Sequence, residues 1–284
     1  MQQPRILVIQ DISASCRISA NVAVPVLSCL NNAVNILPTA LLSTHTGVGF
    51  LDYTYLDLTS EIKKILNHWQ SLNLKFDGLL IGYLGSLEQI EIVRSIIRDF
   101  VKPNGTVVLD PVMGDHGFLY PGFDSQYVLS MRQLCQEVTV IIPNATEASL
   151  LLNRPYQPGP FSETYVRQLL AELVQLNKNA VVLTGVRLDA VNLGAASYSL
   201  PERDYSLSLD AWHPGHFDGT GDLFSSVVAG MLFQRKTLQE ATKIAVTYVN
   251  RVISRTIDSQ IDTKYGVQFE TDLPFLMQFL NPDD

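Results

Sequence analysis

Apolar residues fall along this chain in two alternating patterns. Ile6-Leu7-Val8-Ile9 is a short unbroken run, rich in β-branched residues and followed by polar positions, which predicts a strand buried on both faces. Runs at 34–42, 78–82, 106–109, 138–142 and 180–183 predict further strands, the first of them interrupted by Pro38. Between the runs, apolar positions recur at helical spacing. Residues 22–30 form one such stretch, with Pro25 delaying its start or kinking it. Leu58, Ile62, Ile65, Leu66, Trp69 and Leu72 form a second, and Ile90, Val93, Ile97 and Phe100 a third. Residues 163–176 follow, and Ala241, Ile244, Ala245, Tyr248, Val249 and Val252 make the last stripe. Ser86 with Gln89, and Thr237 with Glu240, have the spacing of capping boxes. Strand alternating with helix this often indicates an α/β fold, a mostly parallel central sheet with helices on both faces. Two extended pieces without a helix in 193–212 predict a hairpin at a sheet edge or over the site.

One stretch obeys neither pattern. In His216-Phe217-Asp218-Gly219-Thr220-Gly221-Asp222 two glycines flank a threonine, which favours an irregular turn with close backbone approach. Leu223, Phe224, Val227, Val228, Met231 and Leu232 then recur at helical spacing, so the turn delivers the chain into a helix N-terminus. Free N–H groups and the positive end of the helix dipole make such a start a site for an anion. Asp222 places a carboxylate there. It either supports the helix dipole or stands beside a bound phosphate as a general base.

Composition narrows the setting. The chain has 284 residues, 46% hydrophobic and 17% charged, with no low-complexity segment and no repeat, and it is expected to form one domain over 1–284. A formal charge of -8 without a basic run argues against a nucleic-acid surface but not against a nucleotide in a local pocket. Cys16, Cys29 and Cys135 are odd in number and far apart, which fits a reducing cytoplasm better than a disulfide framework or zinc. Neither a leader pattern nor a membrane-spanning apolar run is seen, so a soluble, cytoplasmic protein with no membrane partner is expected.

In open parallel sheets ligands bind beyond the carboxyl ends of the strands. Polar clusters follow the predicted strands one after another: Asp11 with Ser13, His45-Thr46-Gly47, Gly82-Tyr83, 110–115, 144–147 and Thr184-Gly185. Together they suit magnesium, phosphate and a small polar ligand. Gly-x-x-x-x-Gly-Lys-Ser/Thr is absent, and so is Gly-x-Gly-x-x-Gly after the first strand, so any ATP site is of another kind. His213 and His216 could in principle chelate a metal, but they straddle the Pro214-Gly215 turn, and a flexible loop pair of this kind is more often no site at all.

The constellation resembles the signature set of the ribokinase superfamily: Gly219-Thr220-Gly221-Asp222, with Asp110-Pro111-Val112-Met113-Gly114-Asp115 and Asn144-x-x-Glu147 upstream. Gly82-Tyr83-Leu84-Gly85-Ser86, the His45-Thr46-Gly47 turn and Ile9-Gln10-Asp11-Ile12-Ser13 are similar to the pyridoxal (vitamin B6) kinases, especially a bacterial branch of them. The resemblance implies a ribokinase-like fold and ATP-dependent phosphorylation of the 5′-hydroxymethyl group of pyridoxal, pyridoxine or pyridoxamine. Magnesium is implied, potassium is left open, and a homodimer is expected.

It also implies roles. Asp222 would take the proton from the attacking hydroxyl, while Gly219, Thr220 and Gly221 would stabilise the transferred phosphoryl group. Asp110 and Glu147 would hold magnesium; Asn144 would order the phosphates, and Thr184 and Gly185 would lie along the nucleotide. Asp11, Ser13, His45, Thr46 and Tyr83 would line the substrate pocket, with Val112 and Met113 left to core packing. Asp11 stands where many relatives carry serine, so its carboxylate would meet the pyridine nitrogen and favour its protonated form. Ser15-Cys16-Arg17 replaces the Gly-Lys usual in the branch, which leaves the preferred vitamer open. The rival readings are a hydroxymethylpyrimidine or other small-alcohol kinase of the same fold, and a ligand-binding homologue without turnover. The retained Asp222 speaks against the last.

Overall fold

Alternation on the central strands decides the layering. In the computed structural model, which describes residues 3–47 and 49–280, Leu7 and Ile9 of β1 (Arg5–Ser13) join one buried cluster while Ile6 and Val8 join another. Successive strand residues point to opposite faces, so a strand apolar at every position must be covered on both sides. The same split recurs in β4 (Phe76–Ile81), β5 (Val101–Leu109) and β9 (Ala180–Val186). One face carries α2 (Thr59–Ser71), α3 (Leu87–Phe100), α4 (Ser125–Leu134), α5 (Ala145–Leu151) and α6 (Glu163–Asn177). The other carries α1 (Ala20–Cys29), α7 (Thr220–Phe233), α8 (Leu238–Ser259) and α9 (Leu273–Met277). Met1 and Gln2, part of the stretch searched for a leader, lie outside the described residues. Among those described, no helix is long and apolar enough to cross a membrane.

With β2 (Ala33–Leu42), β3 (Tyr55–Asp57), β8 (Val140–Ile141), β10 (Asn192–Ser199) and β11 (Asp204–Ala211), the described residues form a nine-stranded sheet in the order β11-β10-β9-β8-β5-β4-β1-β2-β3. Pairing is parallel from β9 through β2 and antiparallel at both margins. The hairpin expected in 193–212 is the β10–β11 margin. After β1 the chain pairs β2 on one side and then crosses to β4 on the other, and that reversal opens a crevice at the carboxyl ends of the strands. A small ladder of β6 (Gly114–Asp115) and β7 (Phe118–Leu119) stands over this end.

Several local expectations need correction. Pro38 does not interrupt β2: it faces Gln10 beside a register shift, and β3 pairs only with residues 40–42, so the ladder needs no N–H from it. Pro25 lies inside α1 rather than before it. The short, exposed β3 carries no apolar run and gave no signal. The Ser86 box is half formed: Ser86 Oγ accepts the Gln89 N–H at 3.2 Å, but the Gln89 carboxamide accepts from Gly85 N–H at 2.7 Å and donates to the Thr39 carbonyl at 2.9 Å. Thr237 and Glu240 form the full reciprocal box.

Candidate active site

Gly219 caps α7 with φ at +79°, a conformation glycine adopts without the Cβ penalty. A Cβ there would also lie 2.3 Å from the Arg17 carbonyl oxygen, so two separate constraints demand glycine. Gly221 is different: a Cβ would meet nothing within 4 Å, because it would point into open cleft. A glycine N-cap brings no side-chain acceptor to the first turn of the helix, which leaves the N–H groups of Thr220, Gly221 and Asp222 for a ligand. The Thr220 hydroxyl donates to the Phe217 carbonyl at 2.9 Å and is spent on the turn itself.

The turn forms one wall of a cleft of about 560 Å³. Asp110, Asn144, Glu147, Thr184, Gly185, Gly219, Thr220, Gly221 and Asp222 all line it, so the residues expected for nucleotide, metal and catalysis are brought together. Val112 lines it too, against the expectation of core packing, whereas Met113 is fully buried. Trp212 and Leu193 from the β10–β11 margin and Val246, Val249 and Ile253 from α8 give the cleft an apolar end. The two histidines of the Pro-Gly turn go to different partners: His213 Nε2 lies 3.1 Å from Ser254 Oγ, and His216 Nε2 lies 3.0 Å from Asp218 Oδ1.

Asp222 has its carboxyl pushed up from the ordinary 3.8 to about 7, chiefly by burial, with the charges of Asp11 and Asp110 adding to the effect. The backbone N–H of Ser19 donates to it and works the other way, and Gln10 Nε2 donates to Oδ1 at 3.4 Å. Ser19 was not anticipated from the sequence. It holds φ at +50° and ψ at -129° at the start of α1, a strained backbone for a residue with a side chain. Its N–H reaches Asp222 and its hydroxyl reaches Asp11, so one residue fixes both carboxylates. Burial raises Asp11 as well, opposed by hydrogen bonds from Ser19 and from Ser13 Oγ, the latter at 3.0 Å.

Asp110 and Glu147 are buried carboxylates at the cleft wall. Burial lifts Asp110, against a hydrogen bond donated by Ser225 Oγ at 2.5 Å; burial and the charge of Asp110 lift Glu147. The Asn144-x-x-Glu147 motif turns out to be a full capping box for α5, a reading its spacing allowed. Glu147 Oε2 accepts the Asn144 N–H at 2.9 Å and Oε1 accepts the Met113 N–H at 3.2 Å. Asn144 Nδ2 donates to the Gly114 carbonyl at 2.9 Å, which ties α5 to the β6–β7 ladder.

Two buried acids, Glu147 raised further by the charge of Asp110, present hard oxygen donors whose burial and repulsion a divalent cation would relieve, so the pair fits magnesium. Among the described residues no cluster of three His, Cys, Asp or Glu side chains could hold a metal. Glu147→Gln would set an amide NH₂ against a backbone N–H, costing about 1–2 kcal/mol and roughly 2–8 °C in Tm. Asp110→Asn keeps an oxygen for Ser225 and should raise the magnesium requirement about tenfold or more, and, because it removes a carboxyl that burial lifts to about 7, it should melt no lower than the wild type at about pH 8. Magnesium-activation curves and thermal scans of both variants check this.

The residues expected on the substrate side lie beyond the cleft lining. Asp11 and Ser13 end β1, reached from the cleft through Ser19 and Asp222. Tyr83 is half-buried after β4 and shares a side-chain hydrogen bond with Tyr55. Thr46 is exposed, whereas His45 is buried, its Nε2–H donating to the Lys264 carbonyl at 2.7 Å and its Nδ1 accepting the Gly47 N–H at 2.9 Å.

The comparisons with known proteins agree with this architecture. The profile of the phosphomethylpyrimidine kinase family matches residues 60–267. A Bacteroides thetaiotaomicron protein assigned to the phosphomethylpyrimidine kinases, in a crystal form with pyridoxal, superposes with a TM-score of 0.91 at 33% identity, over 99% of this chain and 98% of that one. Pyridoxal kinase from Lactobacillus plantarum superposes with a TM-score of 0.88 at 34% identity, over 98% of each chain. Pyridoxal kinase of Arabidopsis thaliana is 26% identical over 89% of this chain and 82% of its own length. The chain belongs to the phosphomethylpyrimidine kinase family of the ribokinase superfamily. It is therefore an ATP-dependent phosphotransferase acting on a small hydroxymethyl-bearing substrate, and membership implies use of ATP and magnesium.

Proposed function

We propose that this cleft transfers the γ-phosphoryl group of ATP to the hydroxymethyl oxygen of a small N-heteroaromatic ring, and that the ring is a B6 vitamer. The observation that carries the reading is the placing of Asp222. It is a carboxylate lifted to about 7, beside a helix start without a side-chain cap on one side and joined through Ser19 to Asp11 on the other. A base with that affinity for protons is matched to its task near neutrality.

The substrate hydroxyl gives its proton to Asp222 as its oxygen bonds to the γ-phosphorus, and the bond from that phosphorus to the β,γ-bridging oxygen breaks to leave ADP. The N–H groups of Thr220 and Gly221 stabilise charge on the phosphoryl oxygens in flight. Asp110 and Glu147 would hold magnesium, which neutralises phosphate charge when bound. Asn144 acts by fixing Glu147 and Gly114, while Thr184 and Gly185 border the nucleotide, whose base suits the apolar end of the cleft.

Asp11 would be the residue that meets the ring. A buried carboxylate held by Ser13 and Ser19 favours a ring nitrogen that keeps a proton, and a pyridine does so more readily than a pyrimidine. The Bacteroides protein crystallised with pyridoxal and the two pyridoxal kinases support a B6 vitamer. The family profile favours the second reading, hydroxymethylpyrimidine, and speaks for it more directly than for the first. ADP release with pyridoxal, pyridoxine, pyridoxamine and hydroxymethylpyrimidine, each with and without potassium, separates the two. Turnover of the pyrimidine alone rejects the vitamer. Asp11→Asn should raise KM for the preferred vitamer about tenfold with kcat nearly kept, the signature of lost uniform binding; an unchanged KM and pH profile contradicts the assigned part.

A further inference from the structure

One proton donor faces two acceptors where the substrate-side and nucleotide-side loops meet. His45 Nε2–H is given to the Lys264 carbonyl at 2.7 Å, and the same nitrogen lies 3.7 Å from Asp218 Oδ2. Asp218 Oδ2 is buried and has no hydrogen-bond partner, whereas Oδ1 meets His216. A buried carboxylate oxygen without a donor is unfavourable, and an approach of about 1 Å would bring His45 within hydrogen-bond reach of it. Asp218 is joined directly to Gly219, the cap of the helix whose first turn faces the phosphates, and it lines the cleft itself. His45 belongs to the substrate side and bonds the Gly47 N–H through its other nitrogen. The Arg17 carbonyl fills the place a Cβ would take at both Gly219 and Gly266, and the Arg17 N–H donates to the Tyr265 carbonyl at 2.8 Å, so the 262–266 segment that competes for His45 rests on the same backbone as the catalytic turn.

We propose that Asp218 is a positioning residue that couples the two ligand sites: phosphate binding at the glycine turn draws Asp218 onto His45 and so fixes the 45–47 turn around the ring substrate. The inference rests on the nucleotide part of the function proposed above and not on the identity of the ring. In the free protein the contact is open, so Asp218 should matter little to ring binding without nucleotide and strongly with it.

The test is amide exchange at Thr46 and Gly47 with and without saturating magnesium and the non-hydrolysable analogue adenylyl imidodiphosphate, its binding measured by calorimetry. The wild type should show these amides slowed about tenfold by the analogue, a typical coupling. Asp218→Ala, and the near-isosteric Asp218→Leu should the first variant fold poorly, should show less than about twofold slowing, and should raise the ring-substrate KM at saturating ATP about tenfold while its Kd for the free enzyme is kept. Equal slowing in wild type and variant, or none in the wild type, overturns the coupling alone. Failure of the analogue to bind at all overturns the functional reading and the coupling with it.

Discussion

Asp222→Asn is expected to lower kcat by about a hundred- to ten-thousand-fold with KM for ATP and ring substrate little changed, since the variant keeps the shape and loses only the proton acceptor. The pH behaviour follows from the same residue. Its acid form is inactive, so kcat/KM of the wild type should climb with pH through an acid limb near the value of about 7 that burial and the neighbouring carboxylates impose. Stability moves the opposite way. The folded protein holds the Asp222 proton where the unfolded chain, at about 3.8, has released it, so this residue costs stability progressively from about pH 4 to 7 and by a constant amount above. The asparagine variant removes that cost and should melt a few degrees higher at about pH 8, for a gain on the order of 1–2 kcal/mol. A dead enzyme that is more stable than the wild type separates a catalytic carboxylate from one that merely supports a helix.

Gly221→Ala should abolish most of the activity while leaving Tm within about 1–2 °C, because its Cβ meets no protein atom and would occupy the space through which a phosphate approaches. Gly219→Ala should also be inactive but should lose stability, by about 2–4 kcal/mol, since it forces a side chain into a positive φ and against the Arg17 carbonyl. Melting curves and steady-state kinetics of the pair decide this. Equal effects of the two substitutions would contradict the separate reasons assigned to the two glycines.

The layered fold was legible because its information is carried by runs of neighbouring residues: Leu7 and Ile9 against Ile6 and Val8 define two covered faces by period alone. The gathering of the strand-end polar residues in one cleft was legible for a related reason. Asp110, Asn144, Thr184 and Gly219 each stand at the end of a strand or the start of a helix, and a parallel sheet delivers all such ends to one side. Contacts between distant segments were not legible. Ser19 joins Asp11 to Asp222, and Asp218 stands opposite His45, through backbone geometry that no local spacing encodes. The part of Glu147 as half of a capping box was present in its spacing but masked by the resemblance to a metal ligand; the fold forms the box and leaves Glu147 on the cleft wall. Pro38 misled because a proline in a strand weighs against it unless one neighbouring strand leaves that position unpaired, as β3 does here while β1 still pairs it with Gln10.

Phosphorus NMR of one reaction mixture holding the enzyme, ATP, magnesium and the ring compound that supports ADP release tests the central claim most directly. A new signal from a phosphomonoester at the hydroxymethyl position should grow in step with ADP and be lost with Asp222→Asn. ADP appearing with inorganic phosphate and no ester, or the ester forming undiminished in the Asp222→Asn variant, would contradict it.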